Sequence, residues 1–319
     1  MKWRMSTALL IACLFLTSGC KEDIQEVDLV LKAGLTIKRA QSFDGSWGNA
    51  RTTSCAIIAY LSSDEIRNAS EFRQSMMSAA DWLLGCIDGE IVDKYDFPII
   101  TCALIKLYEL LPNPNIKFAA QTCLSAVIDS QREDGLWSTA QQSAWAVMAL
   151  YGARLAGLQV PDDVKCLGKV PAGTVSANER DGVFVAYIRM VLKHGDEDVF
   201  ENTMRAVDGL KPGRGTDDPD YFASEILRML ANVPSKDLDK ARKRLELHRQ
   251  WVASVRCELA KNLCTASSGS CSAEGIERLS MLLMQADWAS VRSPAIFVRN
   301  RTPDNDEDSC VLTNVGSTK

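Results

Sequence analysis

Gln41-Ser42-Phe43-Asp44-Gly45-Ser46-Trp47 and Gln131-Arg132-Glu133-Asp134-Gly135-Leu136-Trp137 share one skeleton, Gln-x-x-Asp-Gly-x-Trp, ninety residues apart. Between them Asp88-Gly89-Glu90-Ile91 keeps the Asp-Gly and replaces Trp by Ile, and after them Asp181-Gly182-Val183-Phe184 is a further variant. The glycines fall at 45, 89, 135 and 182, in steps of 44, 46 and 47 residues. A fixed period in this range marks a repeat architecture, in which a unit buries its apolar face only by stacking on the next.

Two kinds of helix pattern flank these punctuation marks. The first kind is amphipathic and charged, over about 25–40, 69–86, 115–130, a weak one near 161–169, 197–209 and a long one near 236–263; Asp239-Lys240-Ala241-Arg242-Lys243-Arg244 is its solvated face. The second kind is apolar nearly all round, over about 52–62, 97–111, 139–156, 183–193, 219–231 and 273–288. Ala144-Trp145-Ala146-Val147-Met148-Ala149-Leu150-Tyr151 has no wet face, which requires burial in an inner layer. Short connections force antiparallel neighbours. The expected fold is all-α: an α/α toroid of about six helix hairpins in two concentric layers, with every inner helix running the same way and their N-termini meeting at one mouth. Residues 20–292 form this domain, and residues 293–319, with Pro294, Pro303 and the run Asp304-Asn305-Asp306-Glu307-Asp308, form a loop-rich tail.

At 319 residues, with 46% hydrophobic and 24% charged residues, the chain has the material for one large packed core. The formal net charge is −5; removing residues 1–19 takes away Lys2 and Arg4 and no acid, deepening it to −7. No basic stripe is left to follow a phosphate backbone, so nucleic acid is excluded as a partner.

Residues 1–19 read as a secretion signal, with basic Lys2 and Arg4, an apolar run from Ala8 to Leu16 too short to span a bilayer, and small residues up to Gly19. Leu16-Thr17-Ser18-Gly19-Cys20 is similar to a bacterial lipobox, which implies lipidation of Cys20 and cleavage before it. Lys21-Glu22 after the cysteine, in place of Asp, implies by the same resemblance an outer-membrane destination, facing periplasm or cell surface. Several acyl chains hold such an anchor where one alone is marginal. Of the 11 cysteines, those beyond Cys20 then sit in an oxidising compartment. Cys264 and Cys271, seven apart across a Ser/Gly-rich loop, are a candidate disulfide.

The repeated skeleton resembles the QW motif of the terpene cyclase and protein prenyltransferase superfamily, whose fold is an α/α toroid. The resemblance implies structural roles: Gly45 and Gly135 allow the tight turn, Trp47 and Trp137 pack beneath the next repeat, and Gln41 and Gln131 tie neighbouring helix ends. The catalytic motifs of those relatives are missing. Their Asp-x-Asp-Asp acid has its nearest counterpart in Asp217-Asp218-Pro219-Asp220, which has the wrong spacing and contains a proline. Their zinc site needs Asp-x-Cys and a later His; Asp308-Ser309-Cys310 has no His after it, and His194 and His248 are the chain's only histidines. No Gly-x-Ser-x-Gly elbow is present either. No metal and no cofactor are expected.

Arg214-Gly215-Thr216-Asp217-Asp218-Pro219-Asp220-Tyr221 opens the fifth inner helix and so belongs to the mouth. One reading is a helix start, with Asp218 as N-cap, Pro219 at N1 and Asp220 complementing the dipole. The other makes Arg214, Asp217, Asp220 and Tyr221 a ligand-binding constellation. With the family motifs absent, the expected function is a non-catalytic, lipid-anchored binding or scaffold protein for a small apolar molecule, a glycan or a protein partner. The alternative is a periplasmic or surface enzyme on polysaccharide, a lyase or glycosidase working through the acids at the inner-helix N-termini; an isoprenoid cyclase ranks third, for want of its acid.

Overall fold

The computed structural model describes residues 28–89, 91–161, 164, 179–192, 203, 207, 217–232, 238–266 and 271–286. All regular structure among them is helical. The helices are α1 (28–39), α2 (Ala50–Ser62), α3 (Asp64–Asn68), α4 (Ser70–Asp88), α5 (Phe97–Leu110), α6 (Pro114–Asp129), α7 (Ala140–Leu155), α8 (Glu179–Leu192), α9 (Asp218–Asn232), α10 (Leu238–Ala266) and α11 (Ala273–Ala286). The signal segment, Cys20, Arg214, the expected outer helices near 161–169 and 197–209, and the tail at 293–319 lie outside the described residues, apart from the isolated positions 164, 203 and 207.

Six helices close a ring. α2 packs on α5, α5 on α7, α7 on α8, α8 on α9, α9 on α11, and α11 returns to α2. These are the apolar segments expected as the inner layer; α4, α6 and α10 stand behind them, α6 against α5 and α10 against both α9 and α11. The α/α toroid follows directly from that closed order. Burial matches it: ten of the thirteen residues of α2, Thr52 to Leu61, are buried, whereas α4 buries only its Phe72, Ser75, Met76, Ala79, Ala80, Leu83 and Cys86 stripe. A ring helix touches neighbours on both sides, the outer helix and the lumen, so no face remains for water.

The connections show why the repeat skeleton recurs. Gly45 and Gly135 stand at φ 94° and 81°, left-handed backbone that disfavours a side chain. A Cβ on Gly45 would meet the Ser78 carbonyl oxygen at 2.4 Å. Gln41 Nε2 donates to the Gly45 carbonyl at 2.8 Å and to Ser75 O on α4 at 2.9 Å, and Gln131 Nε2 donates to Gly135 O at 2.9 Å. Trp47 Nε1 donates to Ile37 O at 2.7 Å and its backbone N–H to Thr53 Oγ1; Trp137 Nε1 donates to Val127 O at 2.8 Å and its N–H to Ser143 Oγ. Both indoles are buried. Each turn thus locks the end of an outer helix to the start of an inner one, and Asn49 and Thr139 cap those starts by accepting from Thr52 N and Gln142 N.

Three local expectations change. Asp181 and Gly182 lie inside α8 instead of in a turn, because the helix begins at Glu179. α3 was not expected: Ser63 accepts from Ile66 N and starts one short turn between α2 and α4. Cys264 and Cys271 are both free thiols, so the candidate disulfide is not formed. The two cysteines flank the break between α10 and α11, and their spacing alone carried no information on Cα separation.

Candidate active site

Inner-helix N-termini gather a set of polar side chains at the mouth. Arg51 comes from the first turn of α2, Asp96 from the residue before α5, Gln141 and Gln142 from the first turn of α7, Asp218 from the start of α9 and Glu277 from the first half of α11. Arg51 is the hub. Its Nη2 donates to both Asp218 oxygens at 2.8 and 2.6 Å, its Nε donates to Glu277 Oε1 at 2.8 Å, and its Nη1 lies 4.0 Å from Asp96 Oδ1. Gln141 Nε2 also donates to Asp218. The indole N–H of Trp145 lies close enough to draw the Asp218 pKa down, yet outside full hydrogen-bond geometry.

A cleft of about 310 Å³ opens beside this hub, lined by Arg51, Tyr95, Asp96, Pro98, Ile99, Thr139, Gln141, Gln142 and Trp145. That size sits at the lower end of ligand sites. Its lining combines the apolar Pro98, Ile99 and Trp145 with two amides, the residues Thr139 and Tyr95, one guanidinium and one carboxyl group. Tyr95 is half exposed at the rim, where its carbonyl accepts from Gln142 Nε2 at 3.4 Å.

The carboxyl groups differ in setting. Asp218 has a side chain only 1% exposed; burial pushes its pKa up against the pull of Arg51, with the net direction upward. Asp96 is 24% exposed on the cleft wall and is likewise raised, by burial first, with Asp93, Glu277 and Asp218 adding to the rise and Arg51 opposing it. Glu277 is 25% exposed and takes the shorter of the remaining two Arg51 contacts. Arg51 itself is held more firmly protonated than usual, because its acidic partners outweigh the burial that opposes its charge.

A second set of buried charge lies deeper, on later turns of α5 and α9 and on the outer helix α10. Lys106 of α5 is buried and pushed down to about 8 by desolvation, with Glu225 of α9 pulling back. Arg228 pairs with Glu225 one turn away, and His248 of α10 is pushed down to about 4 by burial and by Arg228. Among the described residues, no group of three or more His, Cys, Asp or Glu is arranged to hold a metal ion, and no helix is long and apolar enough to cross a membrane.

The constellation expected at 214–221 is rearranged. Asp217 precedes the helix, and Tyr221 N bonds its carbonyl at 3.5 Å. Asp218, expected as a cap, turns its carboxylate into the mouth. Tyr221, three residues on, lies on the same face one turn deeper: it is 2% exposed, stacks on Trp145 with centroids 5.2 Å apart and planes at 8°, and is a ring-core residue, not a mouth residue. Asp220 is buried too. Arg51, Asp96, Gln141 and Glu277 were missed by sequence reasoning. Their common signal is a polar side chain at the start of an otherwise apolar helix, legible once six inner N-termini converge.

No protein-family model matches the chain, and no curated protein matches it. In structure it is similar to the GH76A α-1,6-mannanase of Salegentibacter sp. HEL1_6. One structure of that enzyme, an inactive variant with asparagine for aspartate at two adjacent positions, in complex with α-1,6-mannotriose, superposes with a TM-score of 0.59 at 9% identity, covering 82% of this chain and 99% of that one. A second structure of the same mannanase gives 0.57 at 9% identity over the same shares. This corrects two expectations. The toroids resembling this chain are glycoside hydrolases, not terpene cyclases or prenyltransferases, and a non-catalytic scaffold is no longer the better-supported reading. The QW skeleton misled because it solves a local problem, the outer-to-inner helix turn, that any α/α toroid with this connection faces.

Proposed function

We propose that this chain is a glycoside hydrolase that cleaves an α-linked mannan-type polysaccharide at the mouth of the toroid. One observation carries it: Asp96, Asp218 and Glu277, from three different inner helices, converge on Arg51 beside an amide-lined cleft. Hydrolysis of a glycosidic bond needs one carboxyl group that can give a proton and another that stays ionised, and carboxyl groups in such unlike settings supply both. The toroid neighbours support the substrate class, one of them holding α-1,6-mannotriose. Its inactivation at two adjacent aspartates has a parallel here in Asp217-Asp218 at the start of α9. Ile99, Pro98 and Trp145 of the cleft lining suit the apolar face of a sugar ring, and Gln141, Gln142 and Thr139 suit its hydroxyls. The lipobox supports an outer-membrane address, where such glycans arrive from outside the cell.

The test is reducing-end release from a panel of α-mannans, β-mannan, xylan and a polyuronate by the mature chain, with Asp218→Asn and Glu277→Gln as controls. Release from an α-mannan that falls at least a hundredfold in both variants is the expected result. Activity only on the polyuronate, by elimination, would replace the hydrolase with a lyase; release that both variants retain would remove the site.

A further inference from the structure

The three carboxyl groups at the mouth do not share Arg51 equally, and the division assigns them different work. Asp218 and Glu277 receive direct donations at 2.6 to 2.8 Å, whereas Asp96 stands 4.0 Å from the third nitrogen. Asp218 takes a further donation from Gln141. Donations from a guanidinium and an amide favour the anion of Asp218, because its protonated form would lose those contacts, while burial of its side chain works against them. Asp96 has no such hold. It precedes α5 without capping it, since its side chain accepts no bond from the helix start. Instead it lines the cleft.

We infer that Asp96 is the proton donor of this site, the group that protonates the departing glycosidic oxygen, and that Arg51 creates this role by committing its close contacts to Asp218 and Glu277. This rests on the hydrolase reading. The charged groups that bear most on Asp96 divide three to one in favour of its keeping a proton: Asp93 of its own loop, Asp218 of α9 and Glu277 of α11 are negative and Arg51 of α2 is positive, while the start of α7 adds the neutral Thr139, Gln141 and Gln142 to the same cleft. Partial burial acts in the same sense as the acids, which is how a carboxyl group is kept protonated above its usual range. In the reaction the Asp96 proton passes to the glycosidic oxygen as the bond to the anomeric carbon breaks, with the electron pair left on that oxygen. Charge developing at the anomeric carbon is met by the anions that Arg51 holds. Water then adds to that carbon and returns one proton to the Asp96 carboxylate, which restores the site.

No motif in the sequence sets Asp96 apart from the other polar residues at inner-helix starts. It lies in Asp93-Lys94-Tyr95-Asp96, a stretch that reads as an ordinary polar loop before Phe97-Pro98.

The experiment compares an α-mannan oligosaccharide with its 2,4-dinitrophenyl glycoside, whose leaving group departs without a proton. Asp96→Asn should lower kcat on the oligosaccharide by about 10²–10⁴-fold, the usual worth of general acid catalysis, and on the dinitrophenyl glycoside by less than about tenfold on the same basis. The alkaline limb of its pH–rate profile should vanish, and Asp96→Glu should recover part of the oligosaccharide rate. Equal losses on both substrates, at unchanged melting temperature, would overturn the donor role in favour of binding or positioning. A variant with full activity on both would overturn it outright. Wild-type inactivity on both substrates would instead sink the hydrolase reading, and the donor with it.

Discussion

Arg51 and Asp218 are 167 residues apart in the chain, and Arg51 Nη2 lies within 2.8 Å of both Asp218 oxygens across the mouth of the ring. Their helices, α2 and α9, are not ring neighbours; α11 stands between them and adds Glu277 to the same guanidinium. The pair therefore spans the seam where the last part of the chain returns to the first. Removing the cation leaves a carboxylate with a 1% exposed side chain. Arg51→Met should cost about 3–5 kcal/mol in denaturant unfolding, and adding Asp218→Asn should return part of that loss. Simple additivity of the two would mean the charges are not coupled.

Trp47 and Trp137 should behave as pins of the fold. Each is buried and donates its indole N–H to a carbonyl ten residues earlier. Truncation to Ala should cost about 3–5 kcal/mol at either position, with no selective effect on glycan binding. A variant that keeps its melting temperature while losing ligand would mark that tryptophan as part of a site.

Glycines at matching repeat positions should respond with opposite signs. Gly45→Ala forces a Cβ onto the Ser78 carbonyl at a positive φ and should destabilise by about 1–3 kcal/mol or more. Gly182 lies in helix α8 with open space around its Cα, so Gly182→Ala should stabilise by about 0.5–1 kcal/mol. Thermal melts of the two variants suffice, and shifts of equal sign would contradict the placement of Gly182 inside a helix.

Acid should weaken the protein through His248. Burial, aided by Arg228, pushes its pKa down to about 4 from the usual 6.5. Between those values the unfolded chain binds a proton that the folded chain refuses, so this stability is complete above about pH 6.5 and drains away as pH falls to 4. The loss is on the order of 3 kcal/mol. His248→Gln should flatten the stability–pH curve over that window, and an unchanged slope would assign the acid sensitivity to other groups.

Cys20 should carry lipid, as the lipobox implies. Cys20→Ser should move the protein from the membrane fraction to the soluble one, and unchanged fractionation would remove the anchor.

The repeat and the layer assignment were legible because they are periodic properties. A wet stripe, or none, is written into every helix, and the six inner segments were located to within a few residues of α2, α5, α7, α8, α9 and α11. Asp218 was visible as a mouth residue and misjudged in role, since Asp followed by Pro satisfies a helix start as readily as it feeds a distant guanidinium. Arg51 and Glu277 were invisible for a different reason. Arg51 meets Glu277 across 226 residues and Asp218 across 167, and no local pattern encodes which charges meet when a ring closes.

α1 also fixes where the start of the described chain lies relative to the mouth. Ile37, near its C-terminal end, bonds Trp47 at the mouth, while Gly34 accepts from Tyr60 near the far end of α2. α1 therefore runs toward the mouth, and residue 28 emerges from the opposite end of the toroid. Seven residues lie between Cys20 and that point, and the eight steps reach at most about 29 Å. Were Cys20 to carry the lipid that its lipobox implies, the tether would hold the base of the toroid and leave Arg51, Asp96 and the cleft on the side away from it, open to a long polymer.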